Sequence, residues 1–156
     1  SKPKGIIYNS GVGVTAASAT AITAAEVISL YHSLGQEYRS NAVFITHDDT
    51  AKLIRSLADS NGQYLWQPGL REGTPDTLFG RRVYTSSTCN APTAAKKTLV
   101  FCDPSYYWIV DRQGINVQIL RELYAATGQV GFRASSATDG ELVLAEASKV
   151  LQMAAS

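Results

Sequence analysis

The chain has 156 residues, 45% of them hydrophobic, which fits one domain or a large piece of one, with a buried core and no stapling metal or disulfide. Lys and Arg total 14 against 13 Asp and Glu, and the resulting net charge of +1 argues against a dedicated nucleic-acid binder, though not against a protein that merely encloses nucleic acid. Charged residues are only 17%, below the usual quarter, as in a protein whose surface is largely covered by neighbours.

Residues 2–20 are rich in Gly, Ser, Thr and Ala and read as a loop with a short strand at Gly5–Tyr8. Thr23 and Glu26 then match a capping box, in which each side chain satisfies a free backbone N–H at a helix start. Val27, Leu30, Tyr31 and Leu34 follow at the spacing of a core-facing helical stripe. Ala42–Thr46 is a short apolar run of the kind a strand buried on both faces shows. Asp48 or Asp49 is placed to cap a second helix running to about Ala58, with Leu53, Ile54 and Leu57 inward. Asn61–Gly62 marks a turn.

The next stretch has the glycines, prolines and charges of a loop, yet it carries Tyr64, Leu65, Trp66, Leu70, Leu78 and Phe79. Leu78–Thr85 reads as a strand and Thr98–Cys102 as a buried one. Asp103, Pro104 and Ser105 suit a turn or helix start, and Tyr106–Asp111 with Ile115–Leu120 suggest a strand pair around Gln113–Gly114. Gln129–Thr138 is long and partly alternating, Asp139–Gly140 turns it, and Ser148–Met153 closes the chain. Two or three helices against a mixed sheet make the fold class α+β.

Chemistry finds little support in this pattern. The glycines of Asn9–Val14 invite a phosphate-loop reading, with Gly11, Gly13 and His47 as candidate residues of a small phosphate- or nucleotide-binding enzyme. The GxGxxG spacing fails at Ala16, however, and no Lys-Ser or Lys-Thr pair follows. His47, Asp48 and Asp49 lie where a strand passes into a helix, the place of an N-cap, and His32 sits beside an apolar stripe with nothing to pair it with His47. No Ser has the flanking residues of a nucleophile elbow. Arg81–Arg82 and Lys96–Lys97 are basic pairs read as solvated faces. Cys89 and Cys102 form no CxxC and are expected as buried free thiols. No apolar run approaches the roughly 18 residues of a membrane span, so a soluble chain made in a reducing cytoplasm is expected. No catalytic, cofactor or metal residue is assigned.

Gly62–Pro68 (GQYLWQP), Leu70, Gly73–Gly80 (GTPDTLFG) and Val83 together resemble the central signature of tailed-phage major capsid proteins. The resemblance continues at Lys2–Ile7, Asp103–Tyr107, Val110–Gly114, Gly128–Arg133, Asp139–Gly140 and Lys149–Gln152, in order along nearly the whole chain.

That resemblance implies an axial domain, residues 1–123, which packs around capsomer centres. It also implies closing strands of a peripheral domain, residues 124–156. In the family an arm, an extended loop and a long helix precede the Lys2–Gly5 segment, so the chain is expected to be a carboxy-terminal portion. The implied function is structural: a subunit of an icosahedral phage or prophage capsid, made in the bacterial host cytoplasm and residing in the virion. Its partners would be other copies of itself, in pentamers and hexamers of the full-length protein. The genome would be enclosed but not bound specifically, and no membrane or cofactor would be involved. A shell protein of a cellular nanocompartment, with the same fold, is the alternative. The crosslinking Lys of some members lies in the absent loop, and Gln129–Thr138 contains no Asn or Glu to complete that chemistry. Gln67–Thr77 would face the capsomer axis, with Gln67, Leu70, Arg71, Glu72 and Asp76 as interface residues. Tyr64, Leu65, Leu78 and Phe79 are expected to anchor this loop on the core, and Trp66 either to anchor it too, the favoured reading, or to face the axis with it.

Overall fold

The computed structural model describes residues 3–57, 66–67 and 76–155. In chain order these form α1 (Ile6–Asn9), β1 (Gly11–Thr15), α2 (Ala24–Ser33), β2 (Val43–Thr46), α3 (Asp48–Arg55), β3 (Trp66–Gln67) and β4 (Thr77–Leu78). Then come β5 (Arg81–Thr85), β6 (Lys97–Cys102), β7 (Tyr107–Leu120), β8 (Gly131–Leu142) and β9 (Ser148–Gln152). Seven strands make a mixed sheet in the order β1-β9-β6-β2-β5-β4-β3, and β7 and β8 pair separately as an antiparallel ribbon.

The sheet is built around β6, whose residues Thr98–Cys102 are all buried because both of its faces are covered. Leu99 and Phe101 join the large core cluster with Val27, Leu30 and Leu34 of the α2 side and Ala51 and Ile54 of α3. Val100 and Cys102 point the other way, to Val150, Ile6, Ile7, Val43 and Ile45. A run of apolar residues without alternation is what such a strand requires. At its centre Phe101 stacks between Phe44, with ring centroids 4.3 Å apart, and Tyr31, 5.3 Å away. Stacked pairs of this kind add about 0.5–1.5 kcal/mol beyond their buried area.

The helix α2 starts at the expected capping box, with the Thr23 side chain accepting from the Glu26 N–H and Glu26 accepting from the Thr23 N–H. Glu26 also accepts from the Ala17 N–H at 2.7 Å, so one carboxylate ties the preceding loop to the helix. Partial burial pushes this carboxyl up, but the N–H donors of Ala17 and Thr23 outweigh it and leave its pKa below the ordinary value. At α3 the cap is His47, whose Nδ1 accepts from the Asp49 N–H; Asp48 and Asp49 occupy the first helical turn rather than the cap position expected for one of them.

Five further expectations are corrected. Residues Ile6–Asn9 are one helical turn, and the strand comes later, at Gly11–Thr15, because its parallel partner β9 is supplied from far along the chain. Leu78–Thr85 is not one strand but a hairpin, turned at Phe79 and Gly80 with φ of 51° and 73°. A Gly suits such a turn, whereas Phe at positive φ is uncommon and is held here by packing against the core. Gln113–Gly114 does not turn the chain: it lies inside the 14-residue β7, where the register shifts on either side of Gln113 absorb it as bulges. Asp139–Gly140 likewise runs on within β8. Lys97 is no solvated cation, since its Nζ donates to the carbonyls of Ile7 and Ser10 and so ties α1 to the sheet.

The expected division at residues 123 and 124 does not coincide with a break between sheets. β8 pairs with β7 across it, and β9 lies between β1 and β6 in the large sheet.

Trp66 is 3% exposed within the large core cluster. Trp66→Ala is therefore expected to cost about 3–5 kcal/mol in urea unfolding, and a loss below about 1 kcal/mol would contradict the anchoring role. The Glu26 carboxylate has a folded pKa below its unfolded one, so it stabilises the fold above about pH 4.5 and that contribution is lost as the pH falls through the folded value. Glu26→Gln should show a stability deficit near neutral pH that shrinks on acidification; a deficit independent of pH would refute the linkage.

Candidate subunit interface

The expected axis-facing loop is anchored by Trp66 and Leu78, which pair across β3 and β4, as Gln67 and Thr77 do. Leu78 is buried and Phe79 packs against the same core. Tyr64, Leu65, Leu70, Arg71 and Glu72 lie outside the described residues, as does the Asn61–Gly62 turn. Asp76 is described, and it is engaged within its own chain. Its carboxylate accepts from Arg55 Nη2, and its carbonyl accepts from the Val83 N–H at 2.9 Å. The Arg55 guanidinium also sits 5.0 Å from the centre of the Trp66 ring.

The residues weighed for phosphate or nucleotide chemistry do not converge. Gly11 and Gly13 belong to β1, paired to β9, rather than to a loop that could wrap an anion. A side chain at Gly13 would place its Cβ 2.4 Å from Ser33 Oγ, so this glycine is explained by the close approach of α2 to the strand. His47 caps α3, and its Nδ1 stands 3.3 Å from an Asp49 carboxylate oxygen. His32 Nδ1 lies 3.5 Å from Arg39 Nη1. Among the described residues no group of three or more His, Cys, Asp and Glu could hold a metal ion, and no helix is long and apolar enough to cross a membrane. Both cysteines are free and buried. Burial, with Asp103 beside it and against a hydrogen bond from Ser148, pushes the Cys102 thiol up to about 12, which makes it a poor nucleophile.

The surface that does stand out is the β7–β8 ribbon. No residue of β7 is buried, and in its outer half the two strands sort their side chains by face. Val117 pairs with Ala134 and Ile119 with Phe132, whereas Asn116 pairs with Ser135 and Gln118 with Arg133. Phe132 is 71% exposed, Val117 56% and Ile119 50%. Near the ribbon's base Trp108, Val110 and Val143 line an open groove of about 610 Å³ together with Arg112, Asp139 and Glu141. Among the described residues no second layer covers the face that carries Val117, Ile119 and Phe132. Burying each such side chain is worth about 1.5–3 kcal/mol.

The base of the ribbon is fixed to the rest of the chain by residues 4–9. The Lys4 N–H donates to the Gly140 carbonyl, and the Tyr107 hydroxyl donates to the Lys4 carbonyl, each at 2.9 Å. Lys4 Nζ and Asn9 Nδ2 both donate to Glu141 Oε1. The hydrogen bond from Lys4 holds the Glu141 carboxyl below its usual pKa and in turn raises that of Lys4. The alternation from Ile115 to Ile119 is legible in the sequence as a strand; that its apolar side is left uncovered is not, because that depends on which layers the chain supplies.

The sequence matches the phage capsid family over residues 1–153. No curated protein matches. Among solved structures, the capsid of an empty GTA particle, computed with C5 symmetry, superposes with a TM-score of 0.77 at 28% identity, covering 98% of this chain. The capsid of the native GTA particle gives 0.76 at 28% identity, again over 98% of this chain. The chain spans 57% and 56% of the length of those two relatives. A Gordonia phage Cozz structure shares the fold with a TM-score of 0.64 at 14% identity, over 100% of this chain and 53% of its own. Motif order, fold and family match agree over the same residues: the chain belongs to the phage capsid family.

Proposed function

We propose that the chain is the capsomer-forming portion of a structural subunit of an icosahedral phage or prophage capsid, located in the virion and working through contacts with other copies of itself. The observation that carries this reading is the apolar face of the β7–β8 ribbon, exposed at Val117, Ile119 and Phe132 beside a sheet whose own core is complete. An apolar face of this kind is favourable in water only when something covers it, and another copy is the cover proposed here. The relatives it superposes on are capsids of particles, which supports self-association as the use of such a face.

The domain division in this proposal follows the sheets. The seven-stranded sheet with α1–α3 is the axial unit that packs around capsomer centres, and the ribbon belongs to the peripheral unit. Gln67, Leu70, Arg71 and Glu72 are proposed to meet the neighbouring copy around the axis. In a closed ring each copy uses two different patches, so Arg71 of one copy would face an acid on the next. The genome is enclosed without sequence reading, in keeping with a net charge of +1.

Charging the ribbon face tests the reading directly. Phe132→Glu should abolish particle formation by the full-length protein, as followed by light scattering and electron microscopy. It should change the stability of the 156-residue chain by no more than about 0.5 kcal/mol, the usual range for surface sites. Normal particles from the variant would refute a contact role for the face. Arg71→Glu should likewise impair assembly of the full-length protein, a rim pair being worth at most about 1 kcal/mol but repeating around each capsomer. Any DNA binding by the chain should be weak and fall steeply with added salt; sequence-selective binding that survives physiological salt would contradict the shell role.

A further inference from the structure

The stem that carries residues 68–75 consists of two residue pairs, Trp66 with Leu78 and Gln67 with Thr77. So short a ladder is marginal by itself. Arg55, the last residue of α3, reaches both of its ends. Its guanidinium lies 5.0 Å from the centre of the Trp66 ring, and its Nη2 donates to the Asp76 carboxylate. Trp66 stands just before the carried segment and Asp76 just after it. One planar cation thus holds the entry and the exit of the same segment.

We propose that Arg55 is the positioning residue of the β3–β4 stem, holding Trp66 and Asp76 together at α3. The functional part of this inference rests on the proposal that residues 68–75 contact neighbouring copies. The geometry supports it in three ways. First, α3 is a firm base, because Ala51 and Ile54 are buried in the main core. Second, Asp76 is itself tied to β5 by the Val83 N–H, so the clamp joins the helix, the stem and the sheet. Third, the Arg55 side chain is 53% exposed and that of Asp76 24%, so the ion pair adds little to global stability and acts locally. An arginine can stack on an indole and donate to a carboxylate at once, whereas a lysine at this site would keep the charge and lose the planar fork. Asp76 accepts Arg55 inside its own subunit, alongside whatever it meets at the proposed interface.

The test is hydrogen exchange on the 156-residue chain with Arg55→Ala, Arg55→Lys and Asp76→Asn. With Arg55→Ala the amides of Trp66, Gln67, Thr77 and Leu78 should exchange about fivefold faster, the effect of losing one exposed ion pair and one cation–π contact. Amides of β6 and β9 should be unchanged. Arg55→Lys should fall between parent and Arg55→Ala, and the Trp66 emission should shift in both. Asp76→Asn should also speed exchange at the stem, and combining it with Arg55→Ala should add less than the sum of the single effects, because both remove one bond. Unchanged stem amides in Arg55→Ala would overturn the proposal, as would an equal rise across β6 and β9. Full-length Arg55→Ala protein supplies the separate check. If its stem loosens as described yet particles form at the parent rate, the clamp stands and the contact reading of residues 68–75 fails.

Discussion

Everything else in the molecule depends on covering β6 from both sides. Thr98–Cys102 are buried in succession, and no arrangement satisfies five such residues unless layers exist above and below the strand. On one side α2 and α3 supply the layer through Val27, Leu30, Ala51 and Ile54; on the other, Ile6 and Ile7 close over Val100 and Cys102. The stack of Phe44, Phe101 and Tyr31 fixes how α2 lies on the sheet. From that placement follows the need for glycine at position 13, where α2 comes close to β1.

The ribbon obeys the opposite rule. It is joined to the sheet unit at its base through Leu142, which is buried, and through the hydrogen bonds of Lys4 with Gly140 and Tyr107. Beyond that base it has no second layer among the described residues, although its side chains are sorted as if one existed. Such a sorted but uncovered face is unusual for the surface of a lone unit in water. The contrast is between a strand, β6, covered on both faces and a ribbon whose β7 has no buried residue.

Features set by neighbours in sequence were legible before the structure. The capping box of Thr23 and Glu26 needs only residues three apart, and the stripe of Val27, Leu30 and Leu34 needs only one helix face. The unbroken apolar run of β6 announced its burial on both sides. Features set by distant partners were not legible. Gln113–Gly114 and Asp139–Gly140 have the composition of turns, yet each lies in a long strand because the opposing strand supplies its pairing. The Phe79–Gly80 turn was hidden because phenylalanine rarely takes positive φ and does so here under tertiary packing. At the candidate site, the sequence left Trp66 between anchoring the loop and facing the axis, and its burial in the core favours the anchor. The role of Asp76 was not legible, since its partner Arg55 stands 21 positions earlier on a different element. The exposed side of the ribbon was equally out of reach, for alternation shows that a strand has two faces and not which of them is covered.

The measurement that bears most directly on this account is carbene footprinting of Val117, Ile119 and Phe132, compared between the isolated 156-residue chain and closed particles of the full-length protein. The account predicts strong labelling of these side chains in the isolated chain and protection in the particle, with Leu99 and Phe101 unlabelled in both. Equal labelling of the ribbon face in chain and particle would mean that the surface is never covered, and the ribbon could not then be where the shell is built.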